Sequence, residues 1–186
     1  MSLPQLVSPE FTTEIPSTKQ KIKFRPFLVK EEKILLMASE GNDPAEMQRA
    51  VKSILSNCIL TKIDVSNLAT FDLEYLFLKL RGKSVGEEIE LLMKHSSKSE
   101  CKHQTTVKMN LDDIKIVGKV SDGKIMLDDK IGVKLKYPTF DEVAKMSENQ
   151  SNTEIIYKTM AMLIEYVYTE EEVYNDFTDE EIIFAA

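Results

Sequence analysis

The sequence predicts an α+β fold: a helical hairpin and a buried central helix packed with a small antiparallel β-sheet, then a helical C-terminal part. Three observations predict it. Apolar residues recur at helical spacing over 29–60 and again over 70–81. Between 85 and 137 that period gives way to short alternating segments separated by turn residues. After Pro138 the helical period returns. Helices segregated to either side of a run of strands are the α+β pattern. At 186 residues the chain suffices for one domain or two small ones with a sizeable core. The reading is an extended N-terminal arm over 1–17, a single α+β domain over 18–168, and an acidic C-terminal segment over 169–186.

The arm carries Pro4, Pro9 and Pro16 among scattered Ser and Thr, and its ordering is expected to depend on contact with something else. Gln20 to Phe27 alternates, with Ile22 and Phe24 on one face and Lys21, Lys23 and Arg25 on the other. This is a half-exposed strand stopped by Pro26. Such an arm and strand can add to a neighbour's sheet, although pairing within the domain is the plainer expectation. Val29 to Ser39 reads as a helix ending before Gly41. Asn42 or Asp43 caps the next helix, with Pro44 in its first position. That helix runs to about Cys58 or Leu60, with Met47, Val51, Ile54, Leu55 and Cys58 as its apolar face. Asp64 to Ala69 is a connector.

The stretch Thr70–Leu92 organises the rest. Thr70 is an N-cap candidate and Asp72 suits the positive end of the helix dipole. Leu73, Leu76, Phe77 and Leu80 form one face, and Tyr75 and Leu78 carry the apolar surface almost all round, so the helix is a core element. Arg81 is expected to end it, with Gly82 in the left-handed C′ position. Val85, Gly86, Ile89 and Leu91, interleaved with Glu87, Glu88 and Glu90, then read as a strand over 85–93.

A polar turn from His95 to His103 leads to a second strand at Thr105–Met109, making a hairpin with a wide tip. Asn110 to Ile114 is a turn or one helical turn, and Lys115 to Val120 a short strand. Asp122-Gly123 is a hairpin turn signal; Ile125–Leu127 and Ile131–Tyr137 follow as strands before Pro138. Thr139 with Glu142 forms a capping box for a helix over Phe140–Met146. Ser151 or Asn152 starts a longer helix on Ile155, Ile156, Met160, Leu163, Ile164 and Val167. Thr169 to Asn175 is acidic and irregular. Thr178 with Glu181 opens a helix at Asp179 that the chain end at Ala186 cuts short, which suggests a truncated or fraying terminus.

Composition narrows function. With 42% hydrophobic and 30% charged residues, the chain has the make-up of a globular protein in water. No apolar run approaches the roughly 20 residues of a membrane helix. The N-terminus lacks a basic stretch followed by an apolar one, so no leader is expected. Two cysteines, Cys58 and Cys101, do not make a disulfide framework, and a reducing compartment is expected. The net charge is −7. Eight of the 31 acidic residues fall in Thr159–Ala186, which has no Lys or Arg, leaving the rest of the chain close to neutral. Nucleic-acid affinity wants a basic face, so none is expected. Glu170, Glu171 and Glu172 are candidates for docking a basic partner; the plainer reading is a solvated face.

Chemistry-bearing patterns are few. Gly82-Lys83-Ser84 copies the end of a phosphate-binding loop, but Phe77 stands where the loop needs glycine, and the order is helix, turn, strand. His95, Cys101 and His103, with Cys58, are the soft-ligand candidates. Zinc takes four N or S ligands, usually in two closely spaced pairs. Cys101-x-His103 is tighter than that spacing, and Cys58 sits on an apolar helix face. A plain polar hairpin tip is therefore expected, with a small zinc-binding adaptor as the alternative. Asp112-Asp113 and Asp128-Asp129 lie at turns, where Asp serves the backbone. There is no Gly-x-Ser-x-Gly elbow and only two histidines. No enzymatic activity and no cofactor are expected.

Three stretches carry a resemblance: KIKFRPFLVKEEKILLMA over 21–38, FDLEYLFLKLRGKSVGEEIEL over 71–91, and VKMNLDDIKI over 107–116. Together they resemble the baseplate (hub assembly) protein family of T-even-type contractile-tailed bacteriophages, and the likeness covers most of the chain. The motifs have no catalytic logic; their number and order make them specific. Some members of the family carry a Cys-x-x-Cys-like knuckle at the hairpin tip, and Cys101-x-His103 departs from it. The family pattern also continues into a further C-terminal helix. The resemblance implies an assembly factor or chaperone for the tail baseplate hub. It would bind hub or tape-measure proteins in the infected cell's cytoplasm, without a reaction. A permanent hub subunit is the alternative. The expected working surfaces are Lys21, Lys23 and Arg25, the hairpin tip at 94–104, and Glu170–Glu172.

Overall fold

A computed structural model describes residues 8–94, 104–118, 121–146 and 152–175. The architecture is α+β, as the periodicity predicts, with small antiparallel sheets among its helices. The chain divides into two compact units: one takes residues up to Val65 together with Asp72–Val117, the other Ser66–Phe71 together with Gly118 onward.

In the first unit, β1 (Phe11–Glu14) pairs antiparallel with β2 (Lys21–Phe24), Phe11 opposite Phe24 and Glu14 opposite Lys21. Strand β1 lies inside the stretch read as an extended arm, and β2 orders it. Beyond the ladder, Leu60 N–H donates to the Lys23 carbonyl at 2.8 Å and Arg25 N–H to the Cys58 carbonyl at 2.9 Å. Strand β2 is thus flanked on both sides within its own chain. Helices α1 (Val29–Glu40) and α2 (Pro44–Cys58) form the expected hairpin, with the Asp43 carboxylate accepting the Ala45 N–H at 2.9 Å. The buried apolar residues of this unit include Ile15, Ile22, Phe24, Ile54, Leu55 and Cys58, with Leu73, Leu76 and Leu80 of α3 (Thr70–Val85).

Helix α3 departs from the sequence reading at its end. It runs through Gly82 to Val85, and the left-handed break falls at Gly86, φ +136°. Gly82 is buried within the helix, facing Leu111. A Cβ there would meet Leu111 at 3.8 Å, an ordinary contact, so neither packing nor termination requires glycine at this position. Strands β3 (Glu88–Lys94) and β4 (Gln104–Asn110) form a two-stranded ribbon, and a single 3-10 turn, Leu111–Asp113, closes it.

In the second unit, β5 (Lys124–Met126), β6 (Ile131–Leu135), β7 (Ile164–Thr169) and β8 (Val173–Tyr174) make one antiparallel sheet in that order. Helix α4 (Phe140–Met146) starts with the predicted capping box: Thr139 N–H donates to Glu142 Oε2 at 2.7 Å, and Glu142 N–H to Thr139 Oγ1 at 3.4 Å. Helix α5 (Asn152–Leu163) is shorter than predicted. Ile164 and Val167 fit a helical period, yet Tyr166, Val167, Tyr168 and Thr169 are all β-prone, and pairing with β6 decides the matter. Tyr168 lies opposite Gly132, where any Cβ would strike its ring. Strand β8 replaces part of the expected irregular stretch.

Two further expectations are corrected. Lys115–Gly118 is irregular and exposed, with no cross-strand partner among the described residues. Asp122-Gly123 precedes β5 instead of joining two strands. The hairpin turn sits at Leu127–Lys130, where Asp128 Oδ1 accepts the N–H groups of Lys130 and Ile131 at 2.8 and 2.6 Å.

Candidate functional site

The charged residues of the first unit sort by what they touch. Lys21 and Lys23 are exposed on the outer face of β2, as the alternation predicts. Lys21 stands opposite Glu14, and Lys23 Nζ lies 3.5 Å from Glu10 Oε2. Exposed pairs of this kind contribute little and break readily. Arg25, on the same face, is committed inward. It donates to Glu31 Oε1 at 3.0 Å, to the Pro26 carbonyl at 2.9 Å and to the Asn57 carbonyl at 3.2 Å. Glu31 is 1% exposed and also accepts the Leu28 N–H at 2.8 Å. Burial pushes its carboxyl up, but Arg25, the Leu28 N–H and Lys30 together hold it below the ordinary value.

A second polar cluster anchors the ribbon. Lys79 and Lys83 lie one turn apart on α3 and converge on the turn after β4. Lys79 Nζ donates to the carbonyls of Leu111 and Asp112 at 3.3 and 3.2 Å, and Lys83 Nζ to Asp112 Oδ2 at 2.9 Å and to Glu87. Hydrogen bonds to Glu87 and Asp112 raise the Lys83 pKa. Leu111, 1% exposed, is buried beneath this clamp, and its N–H donates to the Glu87 carbonyl at 2.8 Å. An open groove of about 740 Å³ lies beside it, lined in part by Phe11, Lys83, Ser84, Gly86 and Asn110. The groove includes the phosphate-loop look-alike, but Lys83 is held by two carboxylates. Ser84 Oγ donates to the Leu80 carbonyl at 2.6 Å and accepts the Phe27 N–H at 3.0 Å. These groups are spent on the fold.

Beyond the clamp, the ribbon changes character. Its register sets Ile89 opposite Met109, Leu91 opposite Val107 and Met93 opposite Thr105. Residues directly opposite share a face, so one face is apolar. The other carries Glu88, Glu90, Leu92 and Lys94 against Asn110, Lys108, Thr106 and Gln104. Both strands are mostly exposed, Met93 at 56% and Val107 at 44%. Helix α1 likewise exposes Val29, Ile34, Leu36 and Met37. Neither surface was singled out by charge or motif reasoning. The signal for α1 is the unbroken run Ile34-Leu35-Leu36-Met37, which winds round the helix and exceeds the one face that packs.

In the second unit, Glu170, Glu171 and Glu172 form the exposed β7–β8 turn, whose N–H groups at Glu171 and Glu172 are held by Thr169 Oγ1. Glu172 also accepts the Tyr174 hydroxyl at 2.9 Å, which raises the Tyr174 pKa. The basic strand and the acidic turn thus belong to different units. His95, Cys101 and His103 lie outside the described residues. Cys58, their candidate fourth partner, is fully buried in α2, and burial pushes its thiol up to about 11. Among the described residues no three His, Cys, Asp or Glu side chains group as metal ligands. No helix there is long and apolar enough to cross a membrane.

The family model described as T4 bacteriophage base plate protein matches residues 8–184 and spans all three of the stretches that carry the resemblance. No curated protein and no solved structure matches the chain.

Proposed function

The chain belongs to the T4 bacteriophage base plate protein family, and from that premise we propose that it is an assembly factor, or chaperone, of the baseplate hub. It acts in the host cytoplasm during tail morphogenesis by binding other hub or tape-measure proteins, and performs no reaction. The observation that carries this reading is the division of labour in the first unit. Its ion pairs at Arg25–Glu31 and Lys79/Lys83–Asp112 are used inside the fold, while apolar side chains on α1 and the ribbon are left exposed. Exposed apolar surface of that kind supports a binding role. The exposed acidic Glu170–Glu172 turn, in the second unit, offers a separate polar surface that suits reversible association.

A permanent structural subunit of the baseplate is the second reading, favoured by the family description, which names the base plate itself. The zinc-adaptor reading rests on His95, Cys101 and His103 and is decided by metal content after chelator-free purification. The deciding experiment pairs a pull-down from infected cells with mass spectrometry of mature particles. An assembly factor is recovered with hub proteins and is absent or trace in finished tails. A fixed stoichiometry in the tails establishes the structural subunit instead. Reversing the charges of Glu170, Glu171 and Glu172 is expected to weaken partner binding at low salt without unfolding the protein. Unchanged affinity would remove that turn from the interface.

A further inference from the structure

The β3–β4 ribbon is clamped at its base. Past the Lys79/Lys83–Asp112 clamp it pairs with no third strand among the described residues. Two strands alone are marginal in water, and an unpaired edge invites another strand. The two edges are not equivalent, and their sequences say which is suited to what.

Strand β3 reads Glu88-Ile89-Glu90-Leu91-Leu92-Met93-Lys94. We propose that its free edge pairs with the same edge of a second copy, antiparallel about a twofold axis at Leu91. All seven residues then find a partner. Glu88 of each copy faces Lys94 of the other, Ile89 faces Met93, Glu90 faces Leu92, and Leu91 meets Leu91. The charges left over inside the ribbon are the ones this register matches. Glu90 is already 3.3 Å from Lys108 within the chain, whereas Glu88 and Lys94 stand opposite the neutral Asn110 and Gln104.

Face parity selects the same arrangement. Opposite residues share a face, so an axis through a residue keeps apolar beside apolar, while a one-residue slip would set the apolar face of one copy beside the polar face of the other. Centring on Glu90 would juxtapose two carboxylates. The β4 edge has no such complementarity: centred on Val107 it would set Thr106 against Lys108 and Gln104 against Asn110. The outcome is a four-stranded sheet in the order β4-β3-β3-β4. Its one face is lined from both copies by Ile89, Leu91, Met93, Val107 and Met109. Twofold closure also consumes the edge that would otherwise recruit strands indiscriminately. The inference does not depend on the hub-assembly reading, and its test involves no other baseplate protein.

The test is the solution mass of the full chain across a concentration series, by sedimentation or light scattering, with circular dichroism to confirm folding. The wild type is expected to dimerise. Glu88→Lys alone, or Lys94→Glu alone, places like charges at both ends of the ladder and should raise the dimer dissociation constant roughly tenfold or more. The double variant Glu88→Lys/Lys94→Glu restores opposite charges and should dimerise like the wild type. An equimolar mixture of the two single variants should form the heterodimer that neither forms with itself. A wild type that is monomeric up to roughly 1 mM overturns the proposal. Single variants that dimerise as well as the wild type also overturn it, as does a folded double variant that stays monomeric.

Discussion

The base of the ribbon and its blade are continuous in sequence and opposite in physics. At the base, α3 leaves only Glu74 and Val85 exposed, Leu111 is sealed beneath Gly82, and two lysines grip one aspartate. A few residues further on, both faces of β3 and β4 meet solvent, and Leu92 and Met93 are more than half exposed. The difference teaches where each kind of side chain is spent. Charged groups that look available in the sequence are spent on the fold: Lys79 and Lys83 hold the base together, and Arg25 is committed to Glu31. Apolar groups that look like core, such as Leu92 and Met93, lie outside it. Stability therefore resides in the base, and the blade is free to serve association.

Substitutions can break or sharpen that contrast. Arg25→Ala should have the largest effect, because it leaves the buried Glu31 carboxylate with only the exposed Lys30 as a cation. A loss of about 3–5 kcal/mol is expected, read from the denaturant midpoint. Acid should erode the same interaction. The Glu31 pKa is lowered in the folded state, so its contribution is complete above the ordinary value of 4.5 and fades as pH falls through the lower folded value. The gap between Arg25→Ala and wild type should accordingly narrow from neutral pH toward pH ~3. A gap that does not depend on pH would place the cost in packing of the arginine stem.

Gly82→Ala should give a smaller effect of opposite sign. An added Cβ would meet Leu111 at 3.8 Å, an ordinary contact, while the helix gains propensity. A stabilisation of about 0.5–1 kcal/mol is expected in thermal or chemical unfolding. A marked loss would mean that Leu111 cannot yield and that the base is packed more tightly than its contacts imply. Leu92→Thr on the blade should be the quietest, within about 0.5 kcal/mol of wild type in monomer stability. A loss of several times that size would make the blade part of the core.

Much of this was legible locally. The Asp43–Pro44 start of α2, the Thr139–Glu142 box and the Leu73, Leu76, Leu80 face of α3 are each set by residues within two turns of one another. The readings that changed depend on partners far along the chain. Strand β7 opposes β6 from some thirty residues away, and Gly132 makes room for the Tyr168 ring. Gly82 resembles a helix terminator until Leu111 lies against it. The candidate surfaces divide in the same way. Exposure of Lys21 and Lys23 followed from alternation, whereas the inward commitment of Arg25 needed Glu31 and Asn57 in place.

By itself, then, the sequence determined the fold class, most helix starts and the family, because periodicity, capping and motif order are properties of neighbouring residues. Tertiary structure alone decided which apolar and charged side chains are consumed by the core. Burial is set by whatever else packs against a face, so one pattern of leucines and lysines can build an anchored base or an exposed blade. Gly82 shows the limit of the local letters: it lies buried against Leu111 inside the central helix, which runs on to Val85 and breaks at Gly86.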